Sequence, residues 1–363
     1  MAGQQPLRRL GLEEGVVNRM ATEGMHTVGD VFSKTELQLV QALNLNRPDV
    51  AELLWYIAKK IAPGTKTAGD LLRERRENGG SFFVATGLPT IDNSLQGGFP
   101  AGMITELVGP AGVGKTQSCL MMACQACLPA DAGGLGADTG VVYLDTEHKF
   151  SADRLVEIAS TRLPEYYGER CPEGMARLLD QVTVYTVDTS SGLLERLESL
   201  QTRIIEGNVR LIILDSIAAL ARRDFSREET VNRQELLTRQ AAVLKSLAYT
   251  FSAVVLVTNQ VTTSFSPSSQ NHQGQKQGSI ASHINSSSRA ADESFFQAEV
   301  TGGRGVSYII PALGNTWHHC VSNRLILEQH EADREIHLTK SPLAPSVSCR
   351  FVVRNTGLEE VGG

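Results

Sequence analysis

The chain of 363 residues lacks a disulfide framework, a long apolar run and an excess of positive charge. Its six cysteines are too few and too scattered to suggest a disulfide-stabilised fold of this length. No segment approaches the roughly 18 uncharged apolar residues of a membrane span, and residues 1–15 lack the apolar centre of a signal peptide. These absences favour an intracellular globular protein of about two domains.

The net charge of −6 limits how the chain could contact nucleic acid. A protein that coats DNA through bulk charge is basic, so any contact here has to come from local loops or be shared with partners. Metal chemistry is not indicated by the thiols either. Cys124 and Cys127 form a single C-x-x-C pair, and "HHC" at residues 318–320 has no further ligand at suitable spacing, which favours structural roles.

Residues 1–62 have the pattern of a small all-helical domain. Ser33 and Glu36 stand at the spacing of a capping box, and Asn46 with Pro48 marks another helix start. The apolar residues that follow recur at helical spacing: Val50, Leu53, Leu54, Ile57 and Ile61.

Residues 63–81 are charged and glycine-rich, which is typical of an inter-domain linker, and a different pattern occupies residues 82–363. Five short β-branched runs alternate there with helical patterns: "MITELVG", "GVVYLDT", "QVTVYTV", "LIILDS" and "SAVVLVTNQ". This alternation predicts an α/β fold, a mostly parallel sheet with helices on both faces. After Gly302 we expect hairpins that extend the same sheet, formed by "GVSYII", "NRLILEQ", "EIHLTK" and "CRFVVR".

The strongest single motif is "GPAGVGKT", which fits G-x-x-x-x-G-K-[ST] between a predicted strand and a predicted helix. Its glycines allow backbone N–H groups to converge on phosphate oxygens, and the helix N-terminus adds a favourable dipole. We expect Lys115 to contact the terminal phosphates and the Thr116 hydroxyl to bind Mg²⁺. The predicted nucleotide contacts are Gly109, Pro110, Ala111, Gly112, Val113, Gly114, Lys115 and Thr116.

Two acidic residues at predicted strand ends complete the pattern of a nucleoside triphosphatase. Asp215 follows four apolar residues in "LIILDS", and its carboxylate is expected in the magnesium shell. Glu147 ends "VVYLDTE" and could orient the water that attacks the terminal phosphate, which favours hydrolysis over transfer to a small molecule. The alternative is that Glu147 only caps the helix predicted from Ser151.

Gln260 ends the last of the five predicted strands and leads into a long polar segment, residues 262–305. An amide that contacts the terminal phosphate could order or release this segment with nucleotide state. A loop of this length in a compact domain is usually either functional or disordered, and both alternatives stay open here. Gln260 could equally be an ordinary exposed amide.

Five blocks, in order, resemble the RecA/RadA family of strand-exchange ATPases, and within it the eukaryotic recombinase paralogues. The blocks are "IDNSLQGGFPAGMITELVGPAGVGKTQ", "GGLGADTGVVYLDTEHKFSADRL", "LIILDSIAALAR", "LVTNQVT" and "LGNTWHHCVSNRLIL" with "TKSPLAPS". The resemblance implies a RecA-like P-loop ATPase core behind a small all-α domain. It also implies ATP and Mg²⁺ as cofactors, and DNA-dependent hydrolysis that is weak in the isolated chain.

The resemblance assigns roles to matching positions. Arg154 would stack its planar guanidinium on the adenine. Lys340 and Pro345 lie in a segment that resembles the cap laid by one subunit over its neighbour's nucleotide. The catalytic residues would be Lys115, Glu147 and Gln260, with Thr116 and Asp215 on the metal.

Two segments resemble the DNA-facing loops of the family, the one after Ser216 and residues 262–305. They match the family in their position along the chain and not in their sequence. The individual candidate contacts are therefore chosen by charge and aromatic character. The candidate phosphate contacts are Arg222, Arg223, Lys276, Arg289 and Arg304, and the candidate stacking residues are Phe265, Phe295 and Phe296.

Three departures separate the chain from a filament-forming recombinase. The position of the family's Phe-x-x-Ala docking motif reads Thr65-Lys66-Thr67-Ala68, so the aromatic anchor is missing and a long homopolymer is not expected. The N-terminal "LNLNRPD" lacks the glycine of a phosphate-gripping hairpin, which favours partner docking over DNA contact. Lys340 stands where the recombinases have an acidic residue, and we hypothesise that its ammonium replaces a bound cation.

Two functions fit these observations. The first is an ATP-dependent DNA-binding subunit of a mediator complex in homologous recombination and double-strand-break repair, promoting recombinase filament assembly on single-stranded DNA. Its partners would be other recombinase paralogues, the C type first, in a nuclear hetero-oligomer. The alternative, favoured by the negative net charge, is a nucleotide-gated assembly subunit with little direct DNA contact. A small-molecule phosphotransferase is disfavoured because no second substrate site is visible.

Overall fold

The structure is a computed structural model that describes residues 5–62, 65–77, 82–226, 229–267, 296–297, 305–330 and 333–362. Backbone contacts separate two compact units, Met1–Asn78 and Gly79–Gly363. The boundaries predicted from the sequence, at residues 62 and 82 with a linker between them, stay predictions. Within the described ranges, no helix is long and apolar enough to cross a membrane.

The N-terminal unit is helical, as predicted. Its elements are a 3-10 helix at Leu7–Arg9 and the helices α1 (Glu14–Thr22), α2 (Val28–Phe32), α3 (Glu36–Leu43), α4 (Arg47–Ile61) and α5 (Ala68–Glu77). Helix α4 starts where its sequence predicts, because Asn46 Oδ1 accepts a hydrogen bond from the Asp49 N–H at 2.9 Å. Val50 and Ile57 of α4 are fully buried in the core of this unit.

The capping box of α3 lies two residues later than Ser33 and Glu36, so that prediction is wrong. The Thr35 hydroxyl accepts from the Gln38 N–H at 3.3 Å, and the Gln38 side chain accepts from the Thr35 N–H at 2.8 Å. Ser33 has helical backbone angles at the end of α2, and its hydroxyl donates to the Asp30 carbonyl oxygen. It therefore cannot adopt the extended conformation of an N-cap.

Helix α5 lies within the predicted linker. The Thr67 hydroxyl accepts from the Asp70 N–H at 3.1 Å, and the Asp70 carboxylate accepts from the Thr67 N–H at 3.0 Å, which caps the helix that starts at Ala68. At the position that the resemblance assigns to the docking motif, residues 65–67 precede the helix and Ala68 is its first residue.

The C-terminal unit is built on a nine-stranded, mostly parallel sheet, and the predicted fold class is confirmed. The strands of this unit are β1 (Phe83–Val84), β2 (Phe99–Pro100), β3 (Ile104–Val108), β4 (Gly140–Asp145), β5 (Val182–Thr186), β6 (Val209–Asp215), β7 (Val254–Asn259), β8 (Val261–Pro267), β9 (Phe296–Gln297), β10 (Gly305–Pro311), β11 (Asn323–His330), β12 (Asp333–Lys340), β13 (Val347–Arg354) and β14 (Gly357–Val361). The order in the large sheet is β14-β13-β12-β11-β3-β7-β6-β4-β5, parallel from β11 to β5. All five strands predicted from β-branched runs are present.

Helices cover both faces of this sheet. Leu211 and Ile213 of β6 pack into one apolar layer, and Ile212 and Leu214 pack into the other. The first layer contains α6 (Pro89–Ser94), α7 (Lys115–Ala126), α8 (Ala152–Arg162), α9 (Pro164–Tyr167) and α10 (Pro172–Gln181). The second contains α11 (Ser190–Glu206), α12 (Ile217–Asp224), α13 (Thr230–Phe251) and α14 (Gly314–Cys320).

Two predictions about the last third of the chain are wrong. "GVSYII" lies in β10, which pairs with β8 and β9 in a separate three-stranded sheet instead of extending the large one. Residues 262–267, predicted as the start of a loop, lie in β8, because their backbone groups pair with β10. The other three runs form β11, β12 and β13 of the large sheet, and β14 is a strand that the sequence pattern did not indicate.

Candidate nucleotide-binding site

Four strands end level at one edge of the large sheet. The parallel register pairs Val108 of β3 with Asn259 of β7, and Asp145 of β4 with Asp215 of β6. Because β7 and β6 are also neighbours, the residues after all four strands lie along one crevice. The crevice brings together the phosphate loop (residues 109–116), Glu147, Asp215 and Gln260.

The phosphate loop connects β3 to α7, which begins at Lys115. Gly114 has a φ of +122°, a conformation that other residues rarely adopt. Gly109 is required for space, because a Cβ there would lie 2.7 Å from the Leu327 carbonyl oxygen. The loop N–H groups thus stand at the N-terminus of a helix, which is an arrangement that binds anions.

Lys115 extends back over this loop. Its Nζ donates to the carbonyl oxygens of Gly109 at 2.7 Å and Pro110 at 2.8 Å. Burial lowers the pKa of Lys115, and the carboxylates of Asp215 and Glu147 oppose that shift. The ammonium is therefore held beside the loop, between it and two acidic groups.

The buried Asp215 carboxylate is the centre of a hydrogen-bond cluster. Its Oδ2 accepts from the Thr116 hydroxyl at 2.7 Å and the Tyr143 hydroxyl at 2.8 Å. Its Oδ1 accepts from the Thr258 hydroxyl at 2.5 Å. Tyr143 and Thr258 were not among the predicted site residues, although each is a polar residue near the end of an apolar strand.

The donor set at Thr116 and Asp215 fits Mg²⁺. A carboxylate and a hydroxyl oxygen are hard ligands, and Mg²⁺ bound to a nucleotide usually takes only one or two protein oxygens, with water and phosphate supplying the rest. Thr116 and Asp215 would hold the ion, and the loop N–H groups with Lys115 would hold the phosphates.

Glu147 is bound by three donors. Its Oε1 accepts from the Ser216 hydroxyl at 2.5 Å and from Gln260 Nε2 at 2.8 Å, and its Oε2 faces Lys149 Nζ. Burial acts to raise the pKa of Glu147, but the hydrogen bonds from Lys149, Ser216 and Gln260 outweigh it and lower the pKa. Helix α8 is capped by Ser151, whose hydroxyl accepts from the Arg154 N–H, so Glu147 is not needed as its cap.

Gln260 joins Glu147 to the end of α12. Its amide nitrogen donates to Glu147, while its Oε1 accepts from the Arg222 guanidinium. Arg222 also donates to the Val261 carbonyl oxygen at 3.3 Å, at the start of β8. A continuous chain of hydrogen bonds therefore runs from the crevice to the end of α12, in the first segment predicted to face DNA, and to Val261, the residue before the second.

Arg154 lies in the first turn of α8, beside α7. Its guanidinium donates to Gln117 Oε1 at 2.7 Å and to the carbonyl oxygens of Arg354 and Asn355 at 2.6 and 3.1 Å. These contacts use the edges of the group, whereas stacking on adenine would use its flat face. The adenine contact stays a prediction.

The predicted cap residues lie at the turn between β12 and β13. Pro345 is exposed there. Lys340 Nζ donates to the carbonyl oxygens of His318 at 2.7 Å and Val321 at 2.9 Å, at the C-terminal end of α14. Helix capping accounts for these contacts, and the role of Lys340 near a neighbour's nucleotide stays a hypothesis.

The DNA-contact candidates are only partly described. Arg222 and Arg223 lie in the last turn of α12, and Arg223 donates to the Asp188 carbonyl oxygen. Their guanidinium groups therefore have partners within the chain. Lys276, Arg289, Phe295 and Arg304 lie outside the described residues, and Phe265 and Phe296 are described only in backbone.

A buried ionic network behind the crevice was not predicted. Glu106 of β3 and Arg324 of β11 form an ion pair, with 2.6 Å between Oε2 and Nε, and both side chains are fully buried. Trp317 Nε1 and Asn259 Nδ2 each donate to Glu106 Oε1 at 2.7 Å. The sequence signal was a charged residue inside each of two apolar strand runs, and the network ties β3, β7, β11 and α14 together.

Comparisons with known proteins agree with the fold. Residues 80–310 match the Rad51 family, and residues 7–61 match the XRCC3/RpoA-like helix-hairpin-helix domain. The chain is 38% identical over 360 residues to "DNA repair protein RAD51 homolog 2" of Homo sapiens, covering 98% of this chain and 89% of that protein. The protein of the same name in Arabidopsis thaliana is 30% identical over 351 residues, which is 96% of this chain and 89% of that protein. "DNA repair and recombination protein RadA" of Cenarchaeum symbiosum is 32% identical over 253 residues, 68% of this chain and 60% of that protein. The chain therefore belongs to the Rad51 family.

Proposed function

We propose that the chain is an ATP-dependent DNA-binding subunit of a recombinase-paralogue complex in homologous recombination and double-strand-break repair. It would assist assembly of the recombinase filament on single-stranded DNA. The relatives named RAD51 homolog 2 support a repair role, and with the block "TKSPLAPS" they support the B type of paralogue. The proposed partners are other paralogues, the C type first, and the proposed location is the nucleus.

One observation carries the nucleotide part of the proposal. Lys115, the hydrogen-bonded pair Thr116 and Asp215, and the carboxylate of Glu147 converge at the ends of adjacent parallel strands. Each has a separate task in phosphoryl transfer, and an assembly surface alone would not need all of them.

The proposed reaction is hydrolysis of ATP to ADP and phosphate. Lys115 and the loop N–H groups bind the phosphate oxygens, and Glu147 orients a water molecule. The water oxygen bonds to the γ-phosphorus, and the bond from that phosphorus to the β–γ bridging oxygen breaks, its electron pair leaving on ADP. One water proton leaves to solvent by way of Glu147, and the other stays on phosphate. Bound Mg²⁺ would supply neutralising charge at the phosphate oxygens.

The DNA part of the proposal is supported by the contact between Gln260 and Arg222. A γ-phosphate that draws the Gln260 amide away from Glu147 would also move its bond to Arg222, at the end of α12. Nucleotide state would thereby reach the predicted DNA-facing segments through side chains already in contact.

The test is phosphate release by the full chain in complex with its co-purified partners. We expect a low rate that a single-stranded oligonucleotide stimulates and that Lys115→Ala abolishes. Lys34→Ala, which removes an exposed lysine from the N-terminal unit, should leave the rate unchanged. Stimulated hydrolysis that survives in Lys115→Ala would contradict the proposal.

A second candidate is the nucleotide-gated assembly subunit with little DNA contact. It is favoured by the net charge of −6 and by the bonds that Arg222 and Arg223 make within the chain. Salt dependence separates the two candidates. Direct contacts make log K fall with log salt by about 0.7 per phosphate on single strands, whereas a flat dependence would favour the assembly role.

A further inference from the structure

We propose that Lys149 is a positioning residue that restrains hydrolysis by holding the Glu147 carboxylate in an ion pair. The inference rests on the proposed ATPase function of the same site. It concerns a residue for which the sequence analysis gave no role, in the turn directly after β4.

The turn places Lys149 against Glu147. The Asp145 carboxylate accepts from the N–H groups of Glu147 at 3.1 Å and Phe150 at 2.8 Å, which closes the turn at both ends. Between them His148 has a φ of +55°, in the left-handed region. This bend returns the Lys149 side chain over its neighbour two residues earlier, with Nζ 2.5 Å from Glu147 Oε2.

The ion pair occupies the oxygen that a water molecule would need. Glu147 Oε1 already accepts hydrogen bonds from Ser216 and Gln260, so the lone pairs of that oxygen are used. Oε2 has the remaining capacity, and the Lys149 ammonium takes part of it. A cation there competes with water for the oxygen and withdraws charge from the carboxylate, and both effects slow proton transfer from the attacking water.

Lys149 is suited to restrain Glu147 rather than to bind phosphate. Lys115 already provides a half-buried cation that is bonded to the phosphate loop, and the positive charge of Lys149 adds to the effect of burial in lowering the pKa of Lys115. The Lys149 side chain is 58% exposed while that of Glu147 is 16% exposed, so the lysine can withdraw into solvent without moving the carboxylate. The pair therefore lowers the rate without closing the site.

The experiment measures phosphate release against Mg-ATP concentration for the complex containing wild-type chain, Lys149→Gln or Lys149→Arg. Lys34→Gln removes one exposed lysine charge far along the chain and serves as the control. We expect Lys149→Gln to raise kcat by about three- to tenfold, with KM changed by less than about twofold. Lys149→Arg keeps the ion pair and should stay near wild type, as should Lys34→Gln.

An unchanged or reduced kcat in Lys149→Gln, including a rate below detection, would overturn the proposal. So would a raised KM at constant kcat, which is the result for a phosphate-binding lysine. Binding of a fluorescent ATP analogue with Mg²⁺ is measured on the same preparations. Absence of binding by the wild type would overturn the ATPase function itself, whereas normal binding with unchanged kcat overturns only the role of Lys149.

Discussion

At the residue scale, the surroundings of Glu147 determine what this carboxylate can contribute. Three donors hold it in one orientation and lower its pKa against the effect of burial. A carboxylate with a lowered pKa is a weak base, so we expect its contribution to the proposed hydrolysis to be mainly the position and polarisation of the water. Hydrolysis by this site should therefore be slow unless a partner or DNA rearranges the contacts of Glu147.

Glu147→Gln keeps the shape and the hydrogen-bond acceptor but removes the charge. We expect hydrolysis to fall by at least about tenfold, because the uncharged amide polarises the attacking water less and cannot take its proton. Mg-ATP affinity should change by less than about twofold, because Lys115 and the loop bind the phosphates. Phosphate release and nucleotide titration measure the two effects, and weakened binding with an unchanged turnover rate would contradict the assignment.

The lowered pKa of Glu147 also predicts a pH dependence. A carboxylate whose pKa is lower in the folded state stays ionised until the pH falls through that value, and only then are its ion pair and its action on water lost. Single-turnover hydrolysis should therefore be nearly constant from about pH 8 to about pH 5. The Glu147→Gln variant gives, for comparison, the pH profile of the rate that remains without this carboxylate. A wild-type rate that already declines between pH 7 and pH 6 would show that another group controls the reaction.

At the scale of secondary-structure elements, the crevice depends on the ion pair between Glu106 and Arg324. These side chains join β3 to β11, and Asn259 and Trp317 extend the network to β7 and α14. Two charges taken out of water are costly unless their hydrogen bonds are satisfied. Glu106 accepts from three donors, whereas Arg324 Nη2 has no hydrogen-bond partner among the described residues. The network thus fixes the strands that precede the phosphate loop and Gln260.

Arg324→Met leaves the Glu106 carboxylate buried beside an apolar side chain. We expect the free energy of unfolding to fall by about 3–5 kcal/mol, measured by denaturant titration of the full chain. The double variant Glu106→Gln with Arg324→Met should recover part of that loss, because no isolated charge remains. Arg350→Met, at an exposed position on β13, should cost no more than about 0.5 kcal/mol. If Arg324→Met lowers the free energy of unfolding by as little as Arg350→Met, the stabilising role of the buried ion pair is contradicted.

Elements formed by residues close together in the sequence could be predicted, and contacts between residues far apart in the sequence could not. Strands β3 to β7 were predictable, because each is a local apolar run and the site residues follow their ends directly. The partners of Asp215 were not, because Tyr143 and Thr258 reach it only through the register of three strands. The polar residues of β8 carry no alternating pattern, and their pairing with β10 spans a segment of more than thirty residues.

At the scale of the whole molecule, the chain combines the proposed nucleotide crevice with a departure at the position predicted for the family's docking motif. The docking position has Thr65 in place of an aromatic residue and enters α5 at Ala68. A buried aromatic anchor is the type of contact that dominates protein interfaces, so we expect its absence to weaken association of identical chains. The missing anchor favours assembly with other proteins over assembly with copies of the same chain.

We therefore predict that the purified chain does not form long filaments on its own. With Mg-ATP and single-stranded DNA, light scattering and electron microscopy should show small particles only. Adding the co-purified paralogue partners should produce one defined hetero-oligomer. Regular filaments of the isolated chain would contradict the prediction that the missing aromatic anchor prevents self-association.

The most direct test of the account is the stabilisation of the full chain by Mg-ATP. At about 100 times its dissociation constant, the nucleotide should raise the free energy of unfolding of the C-terminal unit by about 2.7 kcal/mol. Lys115→Ala should lose most of this gain at the same concentration, while Lys34→Ala should keep it. An equal gain in Lys115→Ala would place the nucleotide elsewhere and contradict the site.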